Sequence, residues 1–316
     1  MKKTAICSAL FVLFASGLQA GPFDQDARDF AFSFSVNGYE PDGWFAGPSS
    51  LVLNERSSIM YIADTKAGYV DVFSLQGSPK SQLSDAKAPF GLAVDKDGNL
   101  YISENEAAPI KVINPKGEVS TFEIPTVEGE KPPQPGCMTT DRDGNLYVVD
   151  RANSCIHIFD KEKKEKFKIG KPGDKRGEFK TLQDVAVDRQ GRIYALDSAG
   201  TPVQVFDKKG KYIYRFGFIG DGYEDLALPT SLFVDRNDQI WIVDQGQHCL
   251  KVFDRSGSFL RKFGIYGLGQ GTLFQPVDAK MDNFGRIYVL ELGGRRLQVF
   301  TLRRPSECTV SRHPLQ

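Results

Sequence analysis

Residues 141–150 read Asp141-Arg142-Asp143-Gly144-Asn145-Leu146-Tyr147-Val148-Val149-Asp150. An acid, a glycine three positions later, an apolar run and a second acid describe a tight turn that leads into a strand. The pattern recurs at Asp95-Lys96-Asp97-Gly98-Asn99-Leu100-Tyr101-Ile102 and at Asp188-Arg189-Gln190-Gly191-Arg192-Ile193-Tyr194-Ala195-Leu196-Asp197. Two further copies run from Asp235 to Asp244 and from Asp282 to Glu291, and a looser one spans Asn54 to Asp64. The aromatic marker falls at Tyr61, Tyr101, Tyr147, Tyr194, Trp241 and Tyr288, in steps of 40, 46, 47, 47 and 47 residues. A period in the forties made of short strands predicts propeller blades, here six.

Each unit divides into four strands. In the third, Cys137–Thr140, Asn145–Val149, Cys155–Phe159 and Glu165–Ile169 are separated by polar turns. The second strand is apolar throughout, as in Leu146-Tyr147-Val148-Val149, so both its faces are covered. A two-layer sandwich wets one face of each sheet, whereas radial sheets cover both with neighbouring blades. The sixth unit stops after its third strand near Phe300, and the N-terminal Phe30-Ala31-Phe32-Ser33-Phe34 is expected to supply its outer strand. That arrangement leaves no open sheet edge at the closure. The predicted domains are a leader at 1–20, an all-β six-bladed propeller of four-stranded antiparallel blades at 21–300, and a polar tail at 301–316.

Lys2, Lys3 and the apolar stretch Ala5–Ala15 before Leu18-Gln19-Ala20 have the form of an export signal. The mature chain is therefore expected in the periplasm or secreted, with no membrane span. Removing Lys2 and Lys3 leaves 38 basic against 40 acidic residues, which gives no global pull on nucleic acid. The export signal and the scarcity of stacking aromatics in the basic run Lys161–Arg176 also argue against RNA binding. An oxidising compartment permits disulfides. Cys137–Cys155 within one repeat and Cys249–Cys308 are the candidate pairs, with unpaired buried thiols as the alternative.

The Val-Asp-x-x-Gly-x-hydrophobic-Tyr-Val-x-Asp pattern, with its preceding proline and the later Val-x-Val-Phe-Asp segment, resembles the NHL-repeat family of six-bladed propellers. That resemblance covers nearly the whole mature chain. It implies a fold shared by RNA-binding domains, sensor ectodomains and lyases, and exported bacterial members among them. The lyases of that group use a metal and histidines around the channel. Here only His157, His248 and His313 follow the leader, which supplies no matching set.

One acid ends the second strand of every unit: Asp64, Glu104, Asp150, Asp197, Asp244 and Glu291. This ring is a candidate calcium site, since calcium takes oxygen ligands. The alternative is that each carboxylate accepts hydrogen bonds within its own loop. A second set, Asp95, Asp141, Asp188, Asp235 and Asp282, reads as turn residues. Trp44, Arg151, Tyr223, His248, Tyr266, Arg295 and Arg296 are the candidate recognition residues of a loop-rich face, where aromatics among glycines suit binding. With no GxSxG, no HExxH and no Cys/His metal spacing, the leading expectation is an exported scaffold that binds a protein or glycan and performs no catalysis, with no cofactor other than calcium as a candidate. The alternatives are a calcium- or other metal-dependent hydrolase or lyase at the central channel, and a structural subunit of an envelope or extracellular electron-transfer assembly.

Overall fold

The computed structural model describes residues 30–39, 43–106 and 108–302. The expected leader, the tail and Cys308 lie outside the described residues. In chain order the strands are β1 (Phe30–Asn37), which stands alone, and then six runs of consecutive strands. Blade 1 holds β2 (Pro48–Asn54), β3 (Ile59–Asp64), β4 (Tyr69–Ser74) and β5 (Pro79–Leu83). Blade 2 holds β6 (Pro89–Val94), β7 (Leu100–Glu104), β8 (Ile110–Ile113) and β9 (Val119–Phe122). Blade 3 holds β10 (Pro135–Thr140), β11 (Leu146–Asp150), β12 (Cys155–Phe159) and β13 (Glu165–Ile169). Blade 4 holds β14 (Leu182–Val187), β15 (Ile193–Asp197), β16 (Val203–Phe206) and β17 (Tyr212–Phe216). Blade 5 holds β18 (Pro229–Val234), β19 (Ile240–Asp244), β20 (Cys249–Phe253) and β21 (Phe259–Phe263). Blade 6 holds β22 (Pro276–Met281), β23 (Ile287–Glu291) and β24 (Arg296–Leu302), and β1 joins it as its outer strand.

The closure is the one expected. β1 runs antiparallel to β24, pairing Phe30 with Leu302 and Asn37 with Arg296, with an irregularity between Phe32 and Phe34. Phe30 packs edge-on against Trp241 and Phe263 of blade 5, so the first described strand is also cemented to a neighbour. The innermost strands β2, β6, β10, β14, β18 and β22 touch in sequence and β22 returns to β2, which makes them the wall of a central channel.

The motif has a direct physical basis. In each of five blades the turn acid accepts from the backbone amides two and four residues on, and its second oxygen accepts from the aromatic marker six residues on. Asp141 Oδ1 takes the Asp143 and Asn145 amides and Oδ2 takes the Tyr147 hydroxyl at 2.9 Å. Asp235 takes the Trp241 indole N–H at 3.0 Å instead. The aromatic ring is buried between blades, and its one polar atom needs a partner there. The turn acid supplies it. The glycine is required because its φ is positive (87° at Gly144), and Asp238 adopts the same region at 59° where blade 5 lacks glycine.

Both faces of the second strand are indeed covered. Tyr147 and Val149 join Ile156 and Ile158 against Leu182, Val185 and Ile193 of blade 4. Leu146 and Val148 of the same strand, with Phe159, face Ala93, Tyr101 and Ile110 of blade 2. Successive side chains thus enter two different cores, which is why the strand carries no polar alternation.

The expected Cys137–Cys155 disulfide is corrected: both thiols are free, as is that of Cys249. Cys137 lies on β10 and Cys155 on β12, with β11 between them. Two strand spacings amount to ~9.5 Å, beyond the ~4.4–6.8 Å between Cα atoms that a disulfide spans. Unfolding in denaturant without reductant is therefore expected to expose Cys137 and Cys155 to alkylation, and peptide mapping that finds them cross-linked would refute this strand order.

Candidate functional site

Two levels of the toroid carry chemistry. The first is the channel waist, formed by the third residue of every inner strand: Ser50, Gly91, Cys137, Asp184, Ser231 and Asp278. Most of these latch one blade to the next. The Leu92 amide donates to Ser50 Oγ at 3.2 Å, the Leu232 amide to Asp184 Oδ2 at 3.0 Å, and the Leu51 amide to Asp278 Oδ2 at 2.7 Å across the closure. An inner strand is a sheet edge with unpaired amides, and these side chains satisfy them where neighbouring blades converge. In blade 2 a side chain at this point is excluded, since a Cβ on Gly91 would stand 2.3 Å from the Gly136 carbonyl oxygen. Ser103 takes over, accepting from the Gly91 amide and donating to Gly136 O.

Asp184 is buried at the waist, and its carboxyl is pushed up to about 6. Burial is the main cause, opposed by Lys280 and reinforced by the nearby Asp278 carboxylate. Lys280 is ion-paired to Asp278 and its pKa is raised: burial works against its charge, and Asp278 and Asp184 outweigh that. Because the folded-state pKa of Asp184 lies above its ordinary value, stability is fully present below pH ~4 and is lost as the pH rises through about 6. The loss amounts to about 3 kcal/mol at neutral pH. Asp184→Asn is expected to abolish that component, so the difference in melting temperature between parent and variant should change sharply from pH 4.5 to 7.5. A constant difference across that range would show that Asp184 does not titrate there.

The second level is the loop face, where the acidic ring sits. Each carboxylate is tied to its own blade. Asp64 accepts from the Ala46, Gly47 and Ala67 amides, Asp197 from those of Lys180, Thr181, Ala199 and Gly200, and Asp244 from those of Ala227, Leu228 and Gln247. Glu104 pairs with Lys111 at 2.7 Å, and Glu291 accepts from the Phe274 amide, Arg296 and Gln298. The six side chains are bound within six separate blades and do not converge on one point.

A second repeating position accompanies the ring. The third strands carry a polar residue at one equivalent position among apolar neighbours: Asp71, Lys111, His157, Gln204, Lys251 and Gln298. In blades 2, 5 and 6 this residue meets the ring acid directly, as Lys111 with Glu104, Lys251 with Asp244, and Gln298 with Glu291. Blade 3 makes the same contact with an imidazole in place of an amine or amide. Its imidazole faces Asp150 with Cys155 beside it, because residues two apart on a strand share a face and Asp150 is opposite Cys155 in the β11–β12 register.

The result is a cluster of three different donors, all buried, whose ligand atoms lie within 4.8 Å of one another. His157 Nε2 is 3.5 Å from Cys155 Sγ and 3.5 Å from Asp150 Oδ2. His157 Nδ1 meets Glu165 Oε1 at 2.6 Å. Bonds of ~2.3 Å to sulfur and ~2.0–2.1 Å to nitrogen or oxygen at the tetrahedral angle place sulfur and nitrogen ~3.6 Å apart, and nitrogen and oxygen ~3.3 Å apart. The imidazole nitrogen stands close to those separations from both the sulfur and the carboxylate oxygen. A carboxylate on the far imidazole nitrogen is also the usual support of a metal-binding histidine.

Without a metal, the same contacts favour imidazolium. Burial lowers the pKa of His157, but hydrogen bonds to Asp150, Cys155 and Glu165 outweigh it and push the value up to about 10. Burial likewise works to raise Asp150, and His157, Asn153 and the Gln134 amide hold it below the ordinary carboxylate range. Residues 123–134, the Pro-rich crossover between blades 2 and 3, lie over the cluster. Glu130 pairs with Lys168, the Lys131 amide donates to Asn153 Oδ1, Asn153 Nδ2 returns to Lys131 O, and the Gln134 amide donates to Asp150.

The candidate recognition residues are spread over several blades. Arg151 stacks on Phe90 and donates to Asn105. His248 accepts from the Gln275 amide and packs with Tyr266 and Phe274. Arg295 reaches the Phe45 carbonyl, Tyr223 lies edge-on to Phe259, and Trp44 is part exposed. Arg296 is buried, holding Glu291 and the carbonyls of Leu268, Gly269 and Thr272.

A family profile described as "6-bladed beta-propeller" matches residues 139–203 and 189–251. No curated protein matches the chain. Among solved structures, virginiamycin B lyase from Staphylococcus aureus is similar at 14% identity and a TM-score of 0.63, over 87% of this chain and 100% of that one. A gluconolactonase from Xanthomonas campestris is similar at 16% identity and a TM-score of 0.62, over 86% and 99%. A protein of unknown function from Bacteroides thetaiotaomicron is similar at 15% identity and a TM-score of 0.68, over 87% and 76%. These likenesses carry the six-bladed fold, and they do not single out the NHL family. They also correct the expectation of a non-catalytic protein- or glycan-binding scaffold. The same six-bladed fold houses a lyase and a lactonase, and this chain adds a buried Asp–Cys–His set that spacing rules for metal motifs do not capture.

Proposed function

We propose that this protein is a metal-dependent hydrolase or lyase whose metal is held by Asp150, Cys155 and His157. The observation that carries the reading is the gathering of those three buried donors, with sulfur and carboxylate each 3.5 Å from His157 Nε2 and Glu165 on its far nitrogen. One sulfur, one nitrogen and one carboxylate suit zinc or a similar borderline metal, whereas calcium takes 6–8 oxygens. A bound metal of this class supplies Lewis acidity toward a polar substrate oxygen.

The protein's own groups do the rest. Glu165 accepts the Nδ1 proton and so turns Nε2 toward the cluster. The Gln134, Ala152 and Asn153 amides fix the Asp150 carboxylate. The crossover at 123–134 is pinned beside the donors through Asn153 and Asp150. In the adjoining channel, Asp184 carries a proton at mildly acidic pH and Lys280 carries one throughout the physiological range. The likeness to a gluconolactonase and to a streptogramin lyase supports a small-molecule ester or lactone as substrate. The loop-face residues Trp44, Arg151, Tyr223, His248, Tyr266 and Arg295 are its proposed recognition groups. The leader at 1–20 supports action outside the cytoplasm, and among the described residues no helix is long and apolar enough to cross a membrane. The test is elemental analysis of the purified protein, joined to a panel of aryl esters and lactones assayed with and without chelator. Stoichiometric metal with chelator-sensitive turnover is expected. Metal-free protein that gains no activity on adding zinc would remove the reading.

A further inference from the structure

The opposite mouth of the channel, on the face of the Asp-Gly turns, holds a cavity of about 390 Å³. Its rim includes the residue that follows the turn acid in four successive blades: Lys96, Arg142, Arg189 and Arg236. The same lining contains Glu55, Asp141, Asp188, Asp235 and Asp282, so composition alone leaves the rim without a dominant sign. Hydrogen bonding separates the two sets.

The four turn aspartates of the rim are each held by several hydrogen bonds, and Glu55 by one. Asp141 is held by the Asp143 and Asn145 amides, the Asn145 side chain and Tyr147. Asp188 and Asp235 hold their own turn amides with Tyr194 and Trp241. Asp282 adds Arg286 to its turn amides, and Glu55 accepts from the Asn283 amide. The cations are the reverse. Arg236 reaches only a backbone carbonyl, that of Asn283. Arg142 and Arg189 are exposed, and neither has a hydrogen bond or ion pair to another described residue. Two neighbouring guanidinium groups with unused planar donor pairs therefore face one polar cavity. Deeper in, that cavity continues into a second of about 220 Å³, which shares Glu55, Thr140 and Met281 with it and has Lys280 in its lining.

We propose that this mouth binds a small oxyanion, a carboxylate or phosphate group on a polar body. Arg142 and Arg189 grip it through paired N–H donors, and Lys96 and Arg236 flank them. Guanidinium groups match the geometry of both acids. The combined space suits a small molecule. The site is independent of the metal cluster, which lies at the other end of the blades.

Titration calorimetry on the full chain with inorganic phosphate and with citrate, at low ionic strength, tests it. Saturable binding is expected for at least one of them, weakened by added salt because the cations are exposed. Phosphate alone would mark a phosphoryl ligand, and citrate alone a carboxylic acid. The double variant Arg142→Gln, Arg189→Gln is expected to lose about tenfold or more in affinity, while a charge-matched control, Lys80→Gln with Lys175→Gln, keeps it. Both arginines are exposed and unbonded, so the variant should melt with the parent. Undiminished binding by the double variant, or no saturable binding of either anion at about 10 mM, would overturn the proposal.

Discussion

His157→Gln is expected to leave the propeller folded and to empty it of metal, with chelator-sensitive turnover falling about a hundredfold or more. Glutamine is the informative replacement because blades 4 and 6 already carry it at this position, as Gln204 and Gln298. Gln298 bonds the ring acid Glu291 as the new side chain would bond Asp150. The substitution thus keeps a polar partner for the buried Asp150 while removing the only imidazole of the cluster. Glu165→Gln separates donor from support: it leaves all three donors in place and is expected to weaken metal affinity ~10–100-fold. Competition with a colorimetric chelator reads both effects without any substrate. A His157→Gln protein that retains stoichiometric metal would place the metal elsewhere, whatever its activity.

Phe30→Ala is expected to cost about 3–5 kcal/mol of unfolding free energy. Phe30 is buried on the closing strand, with ring centroids 5.1 Å from Phe263 and 6.1 Å from Trp241. Its removal leaves a cavity where the N-terminal strand meets blade 5, and blade 6 then depends more heavily on the β1–β24 ladder. Deleting residues 30–37 should go further and expose the β24 edge, an invitation to pairing between molecules. Urea titration of the point variant and light scattering of the deletion would measure the two effects. A loss below about 1 kcal/mol for Phe30→Ala would mean that closure is held elsewhere, for instance by the Leu51–Asp278 latch.

Much of the fold was legible because its cause is local. The turn acid, the glycine and the aromatic marker form one hydrogen-bonded unit within seven residues, so each copy announces itself. The fourth strand of blade 3 was expected at Glu165–Ile169 and is found there. Closure by Phe30–Phe34 followed from counting strands. The site was less visible. Cys155 and His157 share a strand face, and Asp150 faces Cys155 across a short hairpin, so the Asp-x4-Cys-x-His pattern did contain the cluster. Spacing rules for metal motifs do not include that pattern, and Cys155 was also a disulfide candidate, a pairing that β11 prevents. Comparing the third strands across blades would have exposed the odd imidazole among an aspartate, lysines and glutamines.

Repetition within the chain determined the blades, their number and the wrap of the two ends, since those depend on contacts between residues close in sequence or on counting alone. Only the assembled toroid decided which polar groups meet. Glu165 reaches His157 from another strand, the 123–134 crossover roofs the donors, and Asp184 faces Asp278 and Lys280 across the waist. Those encounters are set by strand register and by how neighbouring sheets converge on the axis, and no single repeat encodes them.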